Sequence, residues 1–299
     1  MKRLRSTLLA FVLLFATILS ATSCSSRKAV DINGIAALSD LSALDGVILA
    51  AQEGTFHLDA LQAQVPDNVE KKAYKDFTTL LTALNSGAID GYIAEEPTAI
   101  SAVLNNDSLS YVKLENNKTG FTASPSEVGI AVAFRTGSEF VARVNQIIAG
   151  ISPQTREELM EQACRMANNK ETALGESLVL ASSKTDTSGG VLRVSMECAY
   201  EPFNWTQLTD ANGAVPIDGR SNEYANGYDV QIARYIAAEL GMQLVVVANE
   251  WDSLVPAVQS GNVDAIIAGM SPTEEREEEV DFTDCYYSSN LVIITKKSK

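Results

Sequence analysis

The sequence predicts an α/β protein of two lobes, each a mainly parallel sheet flanked by helices. The chain has 299 residues, enough for two compact bodies. Short apolar strands alternate with helical patterns over residues 46–135, and the same alternation restarts at Leu192. Between them lies a polar stretch, 166–190, rich in Ser, Thr and Gly, which reads as a linker. Strands that alternate with helices favour parallel pairing, because a parallel neighbour is reached only by a crossover.

Each element has its own signal. Val47-Ile48-Leu49-Ala50-Ala51 is a continuous apolar run, the pattern of a strand covered on both faces. Residues 77–84 carry apolar side chains at helical spacing and stop at Asn85-Ser86-Gly87, a C-cap. A strand over 89–94 ends at Glu95-Glu96-Pro97, where the proline disfavours helix in the residue before it, and a helix over 98–104 follows. Residues 129–135 predict one more strand, followed by a helix through Phe140, Val144, Ile147 and Ile148. Beyond the linker come a strand over 192–196, an amphipathic helix over 230–240 opened by Gly227-Tyr228-Asp229 and closed by Gly241, and a strand over 244–247. A helix over 251–259, a strand over 265–268, a charged helix over 272–280 and a final strand over 291–294 complete the series. Residues 207–226, with Gly and Asn turn signals, predict a flap near the cleft between lobes.

Composition removes several functions. With 23 Lys plus Arg against 38 Asp plus Glu, the net charge is −15, and nucleic acid is excluded because its binding depends on basic neutralisation of phosphates. Lys2, Arg3 and Arg5 precede an apolar run over 8–16 that is too short to span a membrane, so residues 1–24 read as an export signal. Ala21-Thr22-Ser23-Cys24 followed by Ser25-Ser26 resembles a bacterial lipoprotein cleavage box, which implies a lipid anchor on Cys24 and an extracytoplasmic, membrane-tethered or periplasmic protein. Cys164, Cys198 and Cys285 form no CxxC pair, so no metal site or cofactor is expected, and any disulfide among the three stays open. His57 is the only histidine and has no nucleophile elbow around it.

Tyr200-Glu201-Pro202-Phe203, Gly227-Tyr228-Asp229-Val230, the run from Leu254-Val255-Pro256 to Gly261-Asn262-Val263-Asp264-Ala265, and Val280-Asp281-Phe282-Thr283-Asp284 with Tyr286-Tyr287 together resemble the bacterial extracellular solute-binding proteins of amino-acid ABC transporters, family 3. The resemblance implies a two-lobed type II periplasmic-binding fold. These motifs belong to that family's first lobe. Its second-lobe pattern, Gln52-Glu53-Gly54-Thr55, Leu84-Asn85-Ser86-Gly87-Ala88-Ile89-Asp90-Gly91 and Glu95-Glu96-Pro97, here comes first. The order implies a circular permutation, with a fragment of a tandem array as the alternative. The expected division is 31–135 for the second lobe, 136–165 for helices packing on the first lobe, 166–190 for the linker and 191–299 for the first lobe with a terminal hinge strand.

The resemblance also assigns roles. Arg276 grips the ligand's α-carboxylate, a task for which its planar two-donor fork suits it better than lysine, with Ser271 and the backbone at Gly269 beside it. Thr55 meets the same carboxylate from the other lobe, and Glu95 accepts the α-ammonium where most relatives carry Asp. Tyr200 and Trp251 sandwich the side chain, Glu197 stands where binders of basic amino acids carry an acid, and Phe56 and His57 face the cleft. The implied function is capture of a polar or basic α-amino acid by a monomer that delivers it to a membrane permease, without covalent chemistry. Rival expectations are a cyclohexadienyl dehydratase-like enzyme on the same fold and a ligand-sensing module.

Overall fold

The computed structural model describes residues 27–298; residues 1–24, expected to be an export signal ending at Cys24, lie outside the described residues. Strand β1 (Ile48–Gln52) is buried at all five positions. Helix α1 (Phe56–Gln64) leads to β2 (Glu70–Tyr74), an edge strand whose sequence, Glu-Lys-Lys-Ala-Tyr, gives no apolar signal and was not expected. Helix α2 (Phe77–Ser86) starts where the Asp76 carboxylate accepts the Thr79 amide at 2.7 Å, and it ends at Gly87 in the left-handed conformation, φ 79°. Strand β3 (Gly91–Glu95), α3 (Glu96–Asn105), β4 (Leu109–Val112) and the single turn α4 (Pro125–Val128) follow.

The strand expected over 129–135 is two strands, β5 (Gly129–Ile130) and β6 (Ala133–Arg135), which belong to different sheets. Helices α5 (Phe140–Ala149) and α6 (Pro153–Ala167) are divided by a turn whose Ser152 caps α6. Then come β7 (Val191–Met196), β8 (Ala199–Tyr200), β9 (Asn204–Gln207), β10 (Val215–Pro216) and β11 (Tyr224–Asn226). The last four form a small antiparallel sheet, so residues 207–226 are tied down by ladder hydrogen bonds and are not a free flap. Helix α7 (Tyr228–Leu240), β12 (Gln243–Ala248), α8 (Leu254–Gln259), β13 (Ala265–Ile266), α9 (Glu274–Glu277), β14 (Val280–Phe282), β15 (Tyr287–Ser288) and β16 (Leu291–Lys296) complete the chain. The charged helix expected over 272–280 is only the short α9.

Two five-stranded sheets organise the molecule, in the orders β2-β1-β3-β16-β4 and β12-β7-β13-β6-β14. In each, four strands run one way and the fourth in order is reversed. That reversed strand comes from the other half of the chain. The crossings touch at β5 and β15, which pair antiparallel through Tyr287 with Ile130 and Ser288 with Gly129. Gly129 is required there, since a Cβ would stand 2.8 Å from the Pro125 carbonyl and overlap the Cys285 sulfur. The expected boundaries at 135 and 191 therefore cut across the sheets: β6 lies with β7, β13 and β14, whereas β16 lies with β3 and β4.

Helices α5 and α6 pack on α7. Asn33 Nδ2 donates to the Lys296 carbonyl at 2.7 Å, which brings the start of the described chain against the end of β16. At the start of α7, Asp229 is fully buried between Tyr286 Oη at 2.7 Å and Asn204 Nδ2 at 2.8 Å. Burial outweighs those bonds and pushes its carboxyl up to about 6. Cys164, Cys198 and Cys285 are all free thiols.

Candidate functional site

Where the carboxyl ends of strands from both sheets face each other, loops and helix starts enclose one cavity. It is lined by Gln52, Thr55, Phe56, His57, Phe77 and Glu95 from the first sheet's side and by Tyr200, Trp251, Gly269, Ser271 and Arg276 from the second's. Nine of the ten residues expected to bind ligand thus converge. The tenth, Glu197, stands one residue back, where its Oε1 accepts from Gln52 Nε2 at 3.1 Å.

The cleft is shut on itself, with a volume of about 10 Å³, room for about one water. Arg276 donates from Nη1 to the Ser271 carbonyl and from Nη2 across the cleft to the Gly54 carbonyl, each at 2.9 Å. The same Gly54 oxygen accepts Trp251 Nε1 at 3.0 Å, and the guanidinium lies 5.3 Å from the Trp251 ring centroid. Burial lowers the Arg276 pKa, and the neighbouring Glu275 and Asp59 carboxylates oppose that shift. On the opposite wall His57 Nε2 meets Glu95 Oε1 at 2.9 Å. Thr55 stands at the N-cap of α1, but its hydroxyl bonds the Gln52 carbonyl at 2.7 Å instead of closing the helix end.

Aromatic rings fill the centre. Phe77 stacks on Tyr200 with centroids 4.1 Å apart and planes 8° from parallel. Gly269 adopts φ +64° beneath them, and a Cβ there would approach Tyr200 Cε1 to 2.8 Å, so glycine lets the ring lie flat on the backbone. The Ser271 hydroxyl donates to the Glu127 carbonyl at 2.8 Å, another contact across the cleft.

Seven buried side-chain polar atoms lack a partner among the described residues, and four of them, His57 Nδ1, Glu95 Oε2, Glu197 Oε2 and Tyr200 Oη, belong to this site. Natural proteins leave few such atoms unbonded, so their concentration here marks a place built to bind. Glu197 is pushed up to about 7 by burial, assisted by the Asp76 and Glu250 carboxylates and opposed by the Gln52 bond and Lys75. Outside the cleft a groove of about 810 Å³ shares Thr55, Phe56 and Arg276 and carries five carboxylates, Asp59, Glu127, Glu274, Glu275 and Glu279. The site offers a buried cation, a half-bonded carboxylate and stacked rings, and its approach is acidic.

Gln52 and Phe77 are the lining residues that sequence reasoning missed. A polar residue ending a fully buried strand was the available signal for Gln52, and a large aromatic directly after the helix cap Asp76 was the signal for Phe77. Among the described residues no cluster of three or more His, Cys, Asp or Glu could hold a metal ion, and no helix is long and apolar enough to cross a membrane.

Residues 192–299 match the model of the bacterial extracellular solute-binding proteins, family 3. An arginine-binding extracellular protein of Bacillus subtilis is 37% identical over 82 residues, 27% of this chain and 32% of that protein. An L-arginine-binding protein of Pseudomonas aeruginosa is 32% identical over 130 residues, 43% of this chain and 45% of its own length. Among solved structures, domain 1 of TmArgBP in its arginine-bound form is 30% identical, with 36% of this chain and 82% of that one covered and a TM-score of 0.27. The chain spans from about a third to less than half of these curated relatives. On the matching family model and these sequence likenesses, the chain belongs to the bacterial extracellular solute-binding proteins, family 3.

Proposed function

We propose that this protein captures a polar or basic α-amino acid between its two sheets, outside the cytoplasm, and delivers it to the permease of an ABC transporter. The observation that carries this reading is the opposition of Arg276 and Glu95 across one cavity, with Glu95 Oε2 buried and unbonded. A ligand carboxylate takes the place of the Gly54 carbonyl on Arg276, beside Ser271, the Gly269 backbone and Thr55. The ligand ammonium takes Glu95 Oε2, while His57 holds Oε1. Tyr200 and Trp251 cover the side chain, Phe56 closes the wall, and Glu197 with Gln52 meets the side chain's far end.

Because the cleft has room for only about one water, entry requires the sheets to part at the β5 and β15 crossing and close again on the ligand. Ligand contacts from both sides then favour the closed form. The acidic groove and relatives named for arginine and histidine support a basic ligand. The protein acts as a binder without covalent chemistry, as a monomer held to the membrane by lipid on Cys24.

Its chain is a circular permutation of the family pattern. The reversed order of motifs, the strand that each sheet takes from the other half and the Asn33 contact with Lys296 support this. In this reading residues 31–130 with β16 make one lobe, residues 133–165 and 191–284 make the other, and 166–190 straps the surface. Thermal-shift screening of the purified protein against the common L-amino acids tests the function. A rise in melting temperature with arginine, lysine, histidine or glutamine is expected, and no response to any amino acid defeats the reading.

A further inference from the structure

Behind Phe77 lies a second chamber of about 340 Å³. Helix α3 turns Thr98, Ser101, Ala102 and Asn105 toward it, residues spaced to share one helical face, and α2 contributes Phe77, Thr78 and Leu81. Tyr92 rises from β3, and on the opposite side stand Ala199, Glu201 and Lys170. The chamber is thus bounded by elements of both halves, as the cleft is.

Two features mark it as a site. Thr98 and Ser101 are 5% and 1% exposed, and both hydroxyl oxygens are buried without a partner. With the four atoms of the cleft, they leave only Asn116 Oδ1 of the seven unpartnered atoms elsewhere. Lys170 and Glu201 pair at the edge, with each side chain about one-third exposed, and Asn105 Nδ2 reaches Glu201 Oε2 at 3.5 Å. A pair exposed to this extent gains little from its own attraction, so its members can exchange partners with a ligand carrying both charges.

One residue is common to the linings of chamber and cleft. Phe77 lines both, with the ring centroid of His57 5.9 Å from its own on the cleft side and that of Tyr92 6.3 Å away on the chamber side. Its stacking on Tyr200 holds it at the boundary of the two.

We propose that the chamber is a second subsite, which takes the far head of a two-headed amino acid whose first head lies in the cleft. Lys170 meets the second carboxylate, Glu201 the second ammonium, and Thr98 and Ser101 bond the remaining polar atoms. The proposal rests on the amino-acid reading of the cleft. Calorimetric titration of the full-length protein with L-cystathionine, and in parallel with the single-headed L-methionine and L-arginine, tests it. L-cystathionine is expected to bind about tenfold or more tighter than L-methionine. Ser101→Phe, which fills the chamber, and Lys170→Ala, a surface change that spares the core, are each expected to erase that advantage and leave single-headed ligands within about twofold. A smaller advantage, or one that survives both substitutions, overturns the subsite alone while single-headed ligands still bind. Failure of every amino acid to bind brings down the reading of the cleft and the subsite together.

Discussion

Truncating Arg276 to alanine is the most direct perturbation of the cleft. In the closed form its fork is used in full, one arm on the Ser271 carbonyl and one on the Gly54 carbonyl across the gap, both at 2.9 Å. A bound α-carboxylate replaces the Gly54 partner with a charge-assisted bond in a cavity with room for about one water. Removing the guanidinium leaves that carboxylate buried without its counter-charge, a loss of about 3–5 kcal/mol. At about 1.4 kcal/mol per decade, affinity falls by roughly two to three and a half orders of magnitude. Arg276→Lys keeps the charge but loses the second donor and the flat contact with Trp251, so an intermediate loss is expected. Isothermal titration calorimetry, with circular dichroism to establish that the variants fold, measures both. An Arg276→Ala protein that folds and binds amino acids with unchanged affinity refutes the assignment and returns Arg276 to the solvated charges of α9.

Other perturbations test neighbouring pieces. The Glu197 carboxyl, held up at about 7 by burial, favours the folded state while protonated. Its contribution is full below the ordinary carboxyl pKa and is lost as pH rises through about 7, up to roughly 3 kcal/mol at about 1.4 kcal/mol per pH unit. Melting temperature should therefore fall between pH 5 and pH 8, and Glu197→Gln should flatten that fall except for the share due to Asp229; equal slopes in the two proteins contradict it. Gly269→Ala forces a side chain into a left-handed position and against Tyr200, costing about 1–2 kcal/mol, or several degrees of melting temperature by calorimetry. In competition binding, L-arginine or L-lysine should displace a bound ligand about tenfold better than L-glutamate, and the reverse order rules out a cation-selecting role for Glu197 and the acidic groove.

Much of this was legible because strong local rules and the fold agree. Gly87 ends α2 by capping chemistry alone, and buried β1 announces itself as unbroken apolar sequence. Glu95 and Tyr200 sit within family motifs, and Arg276 and Trp251 stand a few residues from others, at strand ends and turns where an open α/β sheet gathers its ligand groups. What escaped was set by tertiary context. Strand β2 is held by pairing with β1, in defiance of its charged composition. The break at Ala131 and Val132 comes from two sheets competing for one apolar run, and both residues are as hydrophobic as their neighbours. Phe77 has the spacing of a core residue; that it also plugs a cleft follows only from Tyr200, more than a hundred residues away, lying flat against it.

The exchange of strands between sheets has a consequence for how the chain matures. Strand β16 sits between β3 and β4, yet it follows them by about 180 residues of sequence. As the polypeptide is delivered N-terminal end first to the place where it folds, β1, β2 and β3 can assemble early, but β4 has no ladder partner until residues 291–296 arrive. An unpaired interior edge invites the wrong strand. The half of the molecule that begins first is therefore the last to be locked, and its exposure to misassembly lasts while about three-fifths of the chain is still to come.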